Sequence, residues 1–326
     1  MHKIALLGAG RIGKIHAANA VAHPGLILSH VVDPLADAAE GLARATGAKV
    51  ATRDEVLADA DVAGVIVASS TDSHLDDCLA AQAAGKAIFC EKPLDMDLAR
   101  ARSAGAKLAD ARLFLGFNRR FDPSFQALKA RLDDGAVGTL ETLQITSNDP
   151  SPPPLAYVKG SGGLFKDMAI HDFDMARWLL GEEPTEVFAW GGALVDPQVA
   201  ELGDIDTART MLKTVTGRLC VIANSRRSGF GYDQRIEAYG SGGMVRADNV
   251  TASTVQVWKE SGAAADRFEN FFLERYREAY RQEMAHFADI LELQAKPAID
   301  YADGVAALAL AEAAGRSLRS GLPVKL

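Results

Sequence analysis

The sequence predicts a two-domain α/β protein: a parallel, doubly wound sheet in the N-terminal part and an α+β C-terminal part on a large, mainly antiparallel, open-faced sheet. Three observations predict it. The chain has 326 residues, long for one core and in keeping with two domains of about 100 to 200 residues each. Short apolar strands alternate with helical segments up to residue 115, the pattern of βαβ crossovers. From residue 186 to residue 258 strand-like segments follow one another without helices, which points to antiparallel pairing.

The first element is the apolar strand Lys3 to Leu7, and Gly8-Ala9-Gly10-Arg11-Ile12-Gly13 then opens a helical pattern reaching Ala22. Gly-x-Gly-x-x-Gly thus stands between a strand and a helix, the context of a Rossmann dinucleotide-binding turn. Gly8 permits the tight turn, Gly10 lets a pyrophosphate approach the backbone, and Gly13 allows helix and strand to pack closely. The pyrophosphate would rest on the helix N-terminus at Arg11 and Ile12. A second strand, Leu26 to Val32, ends at Asp33, where an acidic side chain accepts hydrogen bonds from the adenosine ribose and repels a 2'-phosphate. The expected cofactor is therefore NAD.

The alternation continues through helix Ala36 to Thr46, strand Val62 to Ala68, helix His74 to Ala84, strand Ala87 to Cys90, helix Ala99 to Ala109 and strand Leu113 to Leu115. Ligands bind beyond the carboxyl ends of such strands. Two of these ends carry polar groups: Ser69-Ser70-Thr71 with His74 a turn later, and Glu91-Lys92-Pro93. The hydroxyls can equally end the strand and cap the next helix. Lys92 is a candidate to point into the cofactor crevice, where a cation stabilises a developing alkoxide; the other reading is a surface lysine.

After Gly116 the pattern changes. A short helix runs from Asp122-Pro123 to Leu132, a strand from Leu140 to Ser147, and a bend follows at Ser151-Pro152-Pro153-Pro154. A helix Asp167 to Leu180 precedes the strand candidates Glu186 to Ala189, Thr207 to Thr214, Leu219 to Ala223, Arg235 to Tyr239, Met244 to Ala247 and Thr254 to Trp258. Two helices, Phe271 to Leu293 and Asp303 to Ser317, close the chain. Tyr276, Tyr280, Met284, Phe287 and Ile290 read as core, and Trp178, Trp190 and Trp258 as packing. The domains expected are 1–120 for NAD and 121–326 for substrate binding and oligomerisation.

Within Gly162 to Asp174, Asp167 and His171 would share one helical face at i and i+4. Oxidising a secondary alcohol needs the hydroxyl proton removed as hydride leaves, and histidine suits proton transfer near neutral pH. A neighbouring carboxylate fixes its tautomer and stabilises the imidazolium. Taken alone, the same stretch also reads as an ordinary helix start.

Composition narrows the partners. The net charge of -8 argues against nucleic acid, whose phosphates require a lysine and arginine excess. Cys78, Cys90 and Cys220 form no CxxC or Cys/His cluster and read as buried apolar groups in a reducing compartment. No apolar run reaches the roughly 18 residues of a membrane span, and the N-terminus enters a strand directly, so a cytoplasmic protein without membrane attachment is expected.

Together these residues resemble the Gfo/Idh/MocA oxidoreductase family over most of the chain: the glycine motif, Thr71-x-x-His74, Ala84-Gly85-Lys86 leading to Glu91-Lys92-Pro93, and the Asp167 to His171 pair. Gly116 to Asp122, Asp167 to Asp174 and Tyr232-Asp233-Gln234-Arg235 look like its inositol dehydrogenase members. The resemblance implies NAD-dependent oxidation of an inositol ring alcohol to an inosose, in a homotetramer joined through the C-terminal sheets. It implies Lys92, Asp167 and His171 as catalytic residues, with Lys92 beside nicotinamide and substrate, Asp167 positioning the reacting group and His171 taking the proton. Gly8, Gly10, Arg11, Ile12, Gly13, Asp33, Ser69, Ser70, Thr71, His74, Glu91 and Lys92 would contact the cofactor, and Asn118, Arg119, Asn148 and Tyr232 the polyol. Asn148-Asp149-Pro150 departs from inositol members that often carry Arg there, which bears on substrate identity. The alternatives are another polyol or sugar dehydrogenase or reductase, a non-catalytic NAD-sensing regulator, and a metalloenzyme using Asp167, His171 and Asp174. No metal is expected, because those residues lack a clear ligand spacing.

Overall fold

A computed structural model describes all 326 residues. The chain divides into two compact units, residues 1–121 with 279–308, and residues 122–278 with 309–326. The chain therefore crosses between the units three times rather than once near residue 120.

The first unit is built on six strands: β1 (His2–Leu7), β2 (Leu26–Val32), β3 (Lys49–Val50), β4 (Val62–Val67), β5 (Ala87–Glu91) and β6 (Leu113–Gly116). All neighbours are parallel, in the order β3-β2-β1-β4-β5-β6. The strand order reverses direction between β1 and β4, the kind of switch point beside which such sheets bind ligands beyond the carboxyl ends of their strands. Helices cover both faces, which is why β1, β4 and β5 are nearly unbroken apolar runs: Ile4 to Leu6, Val65 to Val67 and Ala87 to Cys90 are 0% exposed. The helix Arg277–Leu291 contributes Phe287, whose ring lies 5.7 Å from that of Phe89. The amide of Leu115 donates to the carbonyl oxygen of Ile299 at 3.0 Å, giving the edge strand β6 a partner.

The second unit contains β7 (Leu140–Asn148), β8 (Pro184–Gly192), β9 (Thr207–Thr214), β10 (Leu219–Ser225), β11 (Asp233–Gly240), β12 (Gly243–Ala247) and, beyond a separate hairpin of β13 (Gln256–Lys259) and β14 (Gly262–Ala265), the short β15 (Val324–Lys325). The large sheet has the order β12-β11-β7-β10-β9-β8-β15. It is antiparallel apart from one pair: β7 and β10 run parallel, from Thr142 opposite Leu219 to Asn148 opposite Ser225. Their carboxyl ends therefore lie side by side. One face is covered by the helix Ile170–Leu180 against β7, and β9 alternates accordingly, with Ala208, Thr210, Leu212 and Thr214 buried and Arg209, Met211 and Lys213 outward. Burying Phe173 and Leu179 on this face stabilises the unit by about 1.5 to 3 kcal/mol per side chain.

Four sequence expectations change. Trp190 and Trp258 are 67% and 77% exposed, so neither packs in the core; Trp190 lies in β8 and Trp258 in the hairpin. The last strand candidate of the antiparallel run thus pairs outside the main sheet, with β14. The expected helix Phe271 to Leu293 is two, Phe272–Arg275 and Arg277–Leu291, separated at Tyr276 with φ −109° and ψ 19°. The expected helix Ala99 to Ala109 likewise divides at Ala104.

Candidate active site

The dinucleotide turn is set by backbone crowding. Gly8 has φ +103°, and a Cβ there would fall 2.2 Å from the carbonyl oxygen of Ala68 at the end of β4. A Cβ on Gly13 would lie 2.0 Å from the carbonyl oxygen of Gly8, whereas one on Gly10 meets nothing within 4 Å. Only Gly10 thus faces open space, at the start of the helix Arg11–Ala22, which has no side-chain cap. Its first amides are the groups a diphosphate needs. Asp33 accepts hydrogen bonds from the amides of Ala9 at 2.7 Å and Leu35 at 2.8 Å, one on each oxygen. Its carboxylate is fixed beside the glycine turn with a lone pair on each oxygen to spare for ribose hydroxyls. A cleft of about 260 Å³ opens here between Gly8, Val32, Pro34, Ser69, Asp72 and Asp77. These residues fit an adenine dinucleotide.

The two polar strand ends are tied together. Ser69 donates its hydroxyl to Asp77 at 2.9 Å, and Ser70 occupies the N-cap position of the helix Thr71–Ala83 without a side-chain capping bond. His74, 2% exposed, places Nδ1 2.8 Å from the carbonyl oxygen of Pro93 and Nε2 3.1 Å from that of Ser69. A neutral imidazole donates to only one of them. Its ring joins the loop after β4 to the loop carrying Lys92. Glu91 turns inward: His16 Nε2 lies 2.6 Å from its Oε1, and the Lys92 amide donates to its Oε2 at 3.3 Å. Burial would raise this carboxyl, but the His16 bond, with Lys92 and His74 nearby, outweighs burial and holds it below the usual range. His16 sits one turn into the helix that follows the glycines, so this pair couples the diphosphate-binding turn to the Lys92 loop. Nearby, burial pushes the Glu283 carboxyl well up, Glu91 adds to the effect, and neither Glu283 oxygen has a partner. Asn118 and Arg119 form a short 3-10 turn after β6 and are 3% and 4% exposed.

In the second unit the Asp167 and His171 expectation changes in form. The helix Gly163–Asp167 ends at Asp167, and a second helix begins at Ile170. The amides of Met168 and Ala169 both reach the carbonyl oxygen of Leu164, at 3.0 and 2.9 Å. The second bond spans five residues, and this widening ends the turn, so the two residues do not share one regular helix. Asp167 Oδ1 accepts from the Tyr157 hydroxyl at 2.8 Å and Oδ2 from Arg226 Nη2 at 2.9 Å. His171 is held by its neighbour: Asp172, 0% exposed, accepts from Asn224 Nδ2 at 2.8 Å, fixing the first turn of its helix to β10. Asp174 is also 0% exposed, with Arg177 Nη1 4.0 Å away. No group of three His, Cys, Asp or Glu side chains is arranged to hold a metal ion.

Asn148 and Tyr232 lie at the same sheet end. Asn148 Nδ2 donates to Asp233 Oδ2 at 3.0 Å, and Asp233 also accepts from Arg235 and Asn249, each at 2.7 Å. Burial would raise the Asp233 carboxyl; these bonds outweigh it and hold it low. Tyr232 is 7% exposed, with its ring edge-on to Tyr276 at 6.0 Å. Sequence reasoning passed over His16, Asn224 and Arg226. A basic pair, Arg226-Arg227, between a strand and a glycine-rich turn was the one signal for the last.

Residues 2–117 match the oxidoreductase family with an NAD-binding Rossmann fold, and residues 125–246 match the GFO/IDH/MocA C-terminal domain. The chain is 46% identical to a protein of Rhizobium meliloti named inositol 2-dehydrogenase, over 97% of this chain and 96% of that one. It is 45% identical to a Thermotoga maritima protein named myo-inositol 2-dehydrogenase, over 99% and 98%. Among solved structures, a myo-inositol dehydrogenase of Corynebacterium glutamicum superimposes with TM-score 0.96 at 43% identity, covering 100% and 99% of the two chains. A scyllo-inositol dehydrogenase of Lactobacillus casei with bound NAD(H) and scyllo-inositol gives 0.92 at 28% identity, with the same coverage.

Proposed function

The chain belongs to the Gfo/Idh/MocA oxidoreductase family, and from that premise we propose that it is an NAD-dependent dehydrogenase oxidising a ring secondary alcohol of myo- or scyllo-inositol to the inosose. The observation that carries this reading is likeness along nearly the whole chain to proteins named inositol 2-dehydrogenase, together with the adenosine-binding features at Gly8, Gly10, Gly13 and Asp33. NAD, when bound, supplies the nicotinamide carbon that accepts the hydride.

In the proposed mechanism His171 takes the hydroxyl proton as the carbon–hydrogen electron pair departs, leaving the ketone. Lys92 donates to the same oxygen while negative charge grows on it. Asp167, bonded to Tyr157 and a guanidinium, serves as a fixed anion beside the base rather than as the base. Asn118, Arg119 and Tyr232 supply polar groups for the remaining hydroxyls; Asn148, whose amide goes to Asp233, acts there through its carbonyl oxygen. The first unit, residues 1–121 with 279–308, serves cofactor binding, and the second, residues 122–278 with 309–326, serves substrate binding and oligomerisation.

A homotetramer meeting through the outer sheet faces is part of this reading. It is supported by the exposed apolar side chains Trp190, Met211, Tyr239 and Met244 on β8, β9, β11 and β12. A cytoplasmic location is in keeping with Cys78, Cys90 and Cys220, all free and buried. The test is NADH formation with a panel of inositols, glucose and xylose, using wild type and His171→Ala. At least one inositol should exceed both sugars, and the variant should lose about 10²- to 10⁴-fold in turnover. Robust sugar turnover without inositol turnover would remove the substrate; undiminished turnover by His171→Ala would move the base elsewhere.

A further inference from the structure

We infer that Arg226 is a positioning residue for the dehydrogenase reaction, acting through Asp167; the inference rests on the reading of Asp167 and His171 given above. Arg226 is 2% exposed, a position a guanidinium occupies only when something anionic holds it. Its Nη2 donates to Asp167 Oδ2 at 2.9 Å, and Asp149 Oδ2 lies 4.0 Å from Nη1. Its Nε has no partner. The guanidinium is thus spent chiefly on one carboxylate, the one that the proposed mechanism sets beside the base.

Its mounting is rigid. Arg226 follows β10 directly, and its amide donates to the carbonyl oxygen of Asp206 at 2.8 Å. Asp206 in turn accepts the amides of Leu194, Val195 and Asp196 at 2.8 to 2.9 Å. On the other side the amide of Asp149 donates to Ser225 at 2.9 Å, continuing the parallel pairing of β7 and β10. Three strand ends therefore locate the arginine, which locates Asp167 at the C-terminal end of a five-residue helix. That helix alone would not: its regular bonding ends at Ala169, whose amide reaches back five residues to Leu164, and a carboxylate at a helix C-terminus is disfavoured by the helix dipole. Tyr157 holds the other oxygen from the solvent side, being 53% exposed. A planar fork fixes a carboxylate's orientation in a way that a lysine ammonium does not.

A double-mutant cycle tests this, with NADH affinity measured by fluorescence titration and turnover of the preferred inositol measured at saturating NAD. Arg226→Met should lower kcat by about 10²-fold while NADH affinity stays within twofold, because the dinucleotide turn is untouched. Arg226→Lys should recover part of the loss by restoring the charge without the fork. In an Asp167→Asn background, Arg226→Met should cost less than about threefold more, because residues acting as a unit are non-additive. Tyr157→Phe, at an exposed site that does not endanger folding, should show the same dependence on Asp167. Losses that multiply in both cycles, or wild-type kcat in Arg226→Met, overturn the inference while wild-type turnover keeps the dehydrogenase reading. An inactive wild type overturns both.

Discussion

Gly10→Ala and Gly13→Ala place one methyl group at two points of the same turn, three residues apart, with opposite expected consequences. At Gly13 the new Cβ lies 2.0 Å from the Gly8 carbonyl oxygen and 3.0 Å from its carbon, where ordinary contact begins at 3.4 Å. Backbone sits on both sides of that clash, so the helix start must move by about 1.4 Å relative to β1. Overpacking of this kind costs roughly 1 to 3 kcal/mol, a fall of several degrees in Tm for a protein of this size. At Gly10 the methyl meets no protein atom within 4 Å, and the backbone angles, φ −70° and ψ −166°, suit any residue. The fold should lose at most about 1 kcal/mol, since alanine is the poorer N-cap. The methyl instead stands where the pyrophosphate approaches, so NADH affinity should fall at least tenfold, about 1.4 kcal/mol. Thermal unfolding of the cofactor-free proteins and fluorescence titration with NADH separate the two effects. If Gly10→Ala binds NADH as wild type does while remaining folded, the dinucleotide does not pass over this turn.

Asp33→Ser should erode the preference for NAD over NADP, measured as the ratio of kcat/KM values, and should weaken NAD as well because the amides of Ala9 and Leu35 lose their acceptor; equal use of both cofactors by the wild type would show that the 2'-phosphate is met by some other group. Glu283→Gln bears on stability against pH. Burial raises the Glu283 carboxyl in the folded state, so its contribution is fully present below the unfolded carboxylate range and lost as pH rises toward the folded value. The glutamine variant cannot ionise in either state and should gain on the wild type steadily from about pH 4.5 upward. Denaturant unfolding at pH 4 and pH 8 checks this, and a variant no more stable than wild type at pH 8 would mean that Glu283 is ionised and partnered.

The dinucleotide half was legible because its signals are local. A strand, three glycines at fixed spacing and an acid at the end of the next strand, Asp33, are set by turn geometry and by an apolar period that any window of the chain displays. The same locality explains the strand Thr207 to Thr214, whose alternation survives as β9 with the expected bounds. Local spacing misled at Asp167 and His171, where an i, i+4 pattern on paper became two helices, because Asp167 answers to Arg226, 59 residues away. Long-range partners decided the rest. Glu91 is turned inward by His16, 75 residues earlier, and the helix bearing His171 is fixed through Asp172 to Asn224, 52 residues on. Consecutive strands implied a mainly antiparallel sheet, and the one exception, β7 parallel to β10, arises because β8 and β9 lie on the far side of β10. That crossing brings Asn148, Asp149 and Arg226 to one sheet end. The sequence by itself determined the fold class and the cofactor turn, and it is the source of the proposal that Lys92, Asp167 and His171 carry the chemistry. Only the tertiary structure decided which carboxylates are paired and which tryptophans face solvent, since both depend on strand register and helix docking, which no local window of side chains encodes.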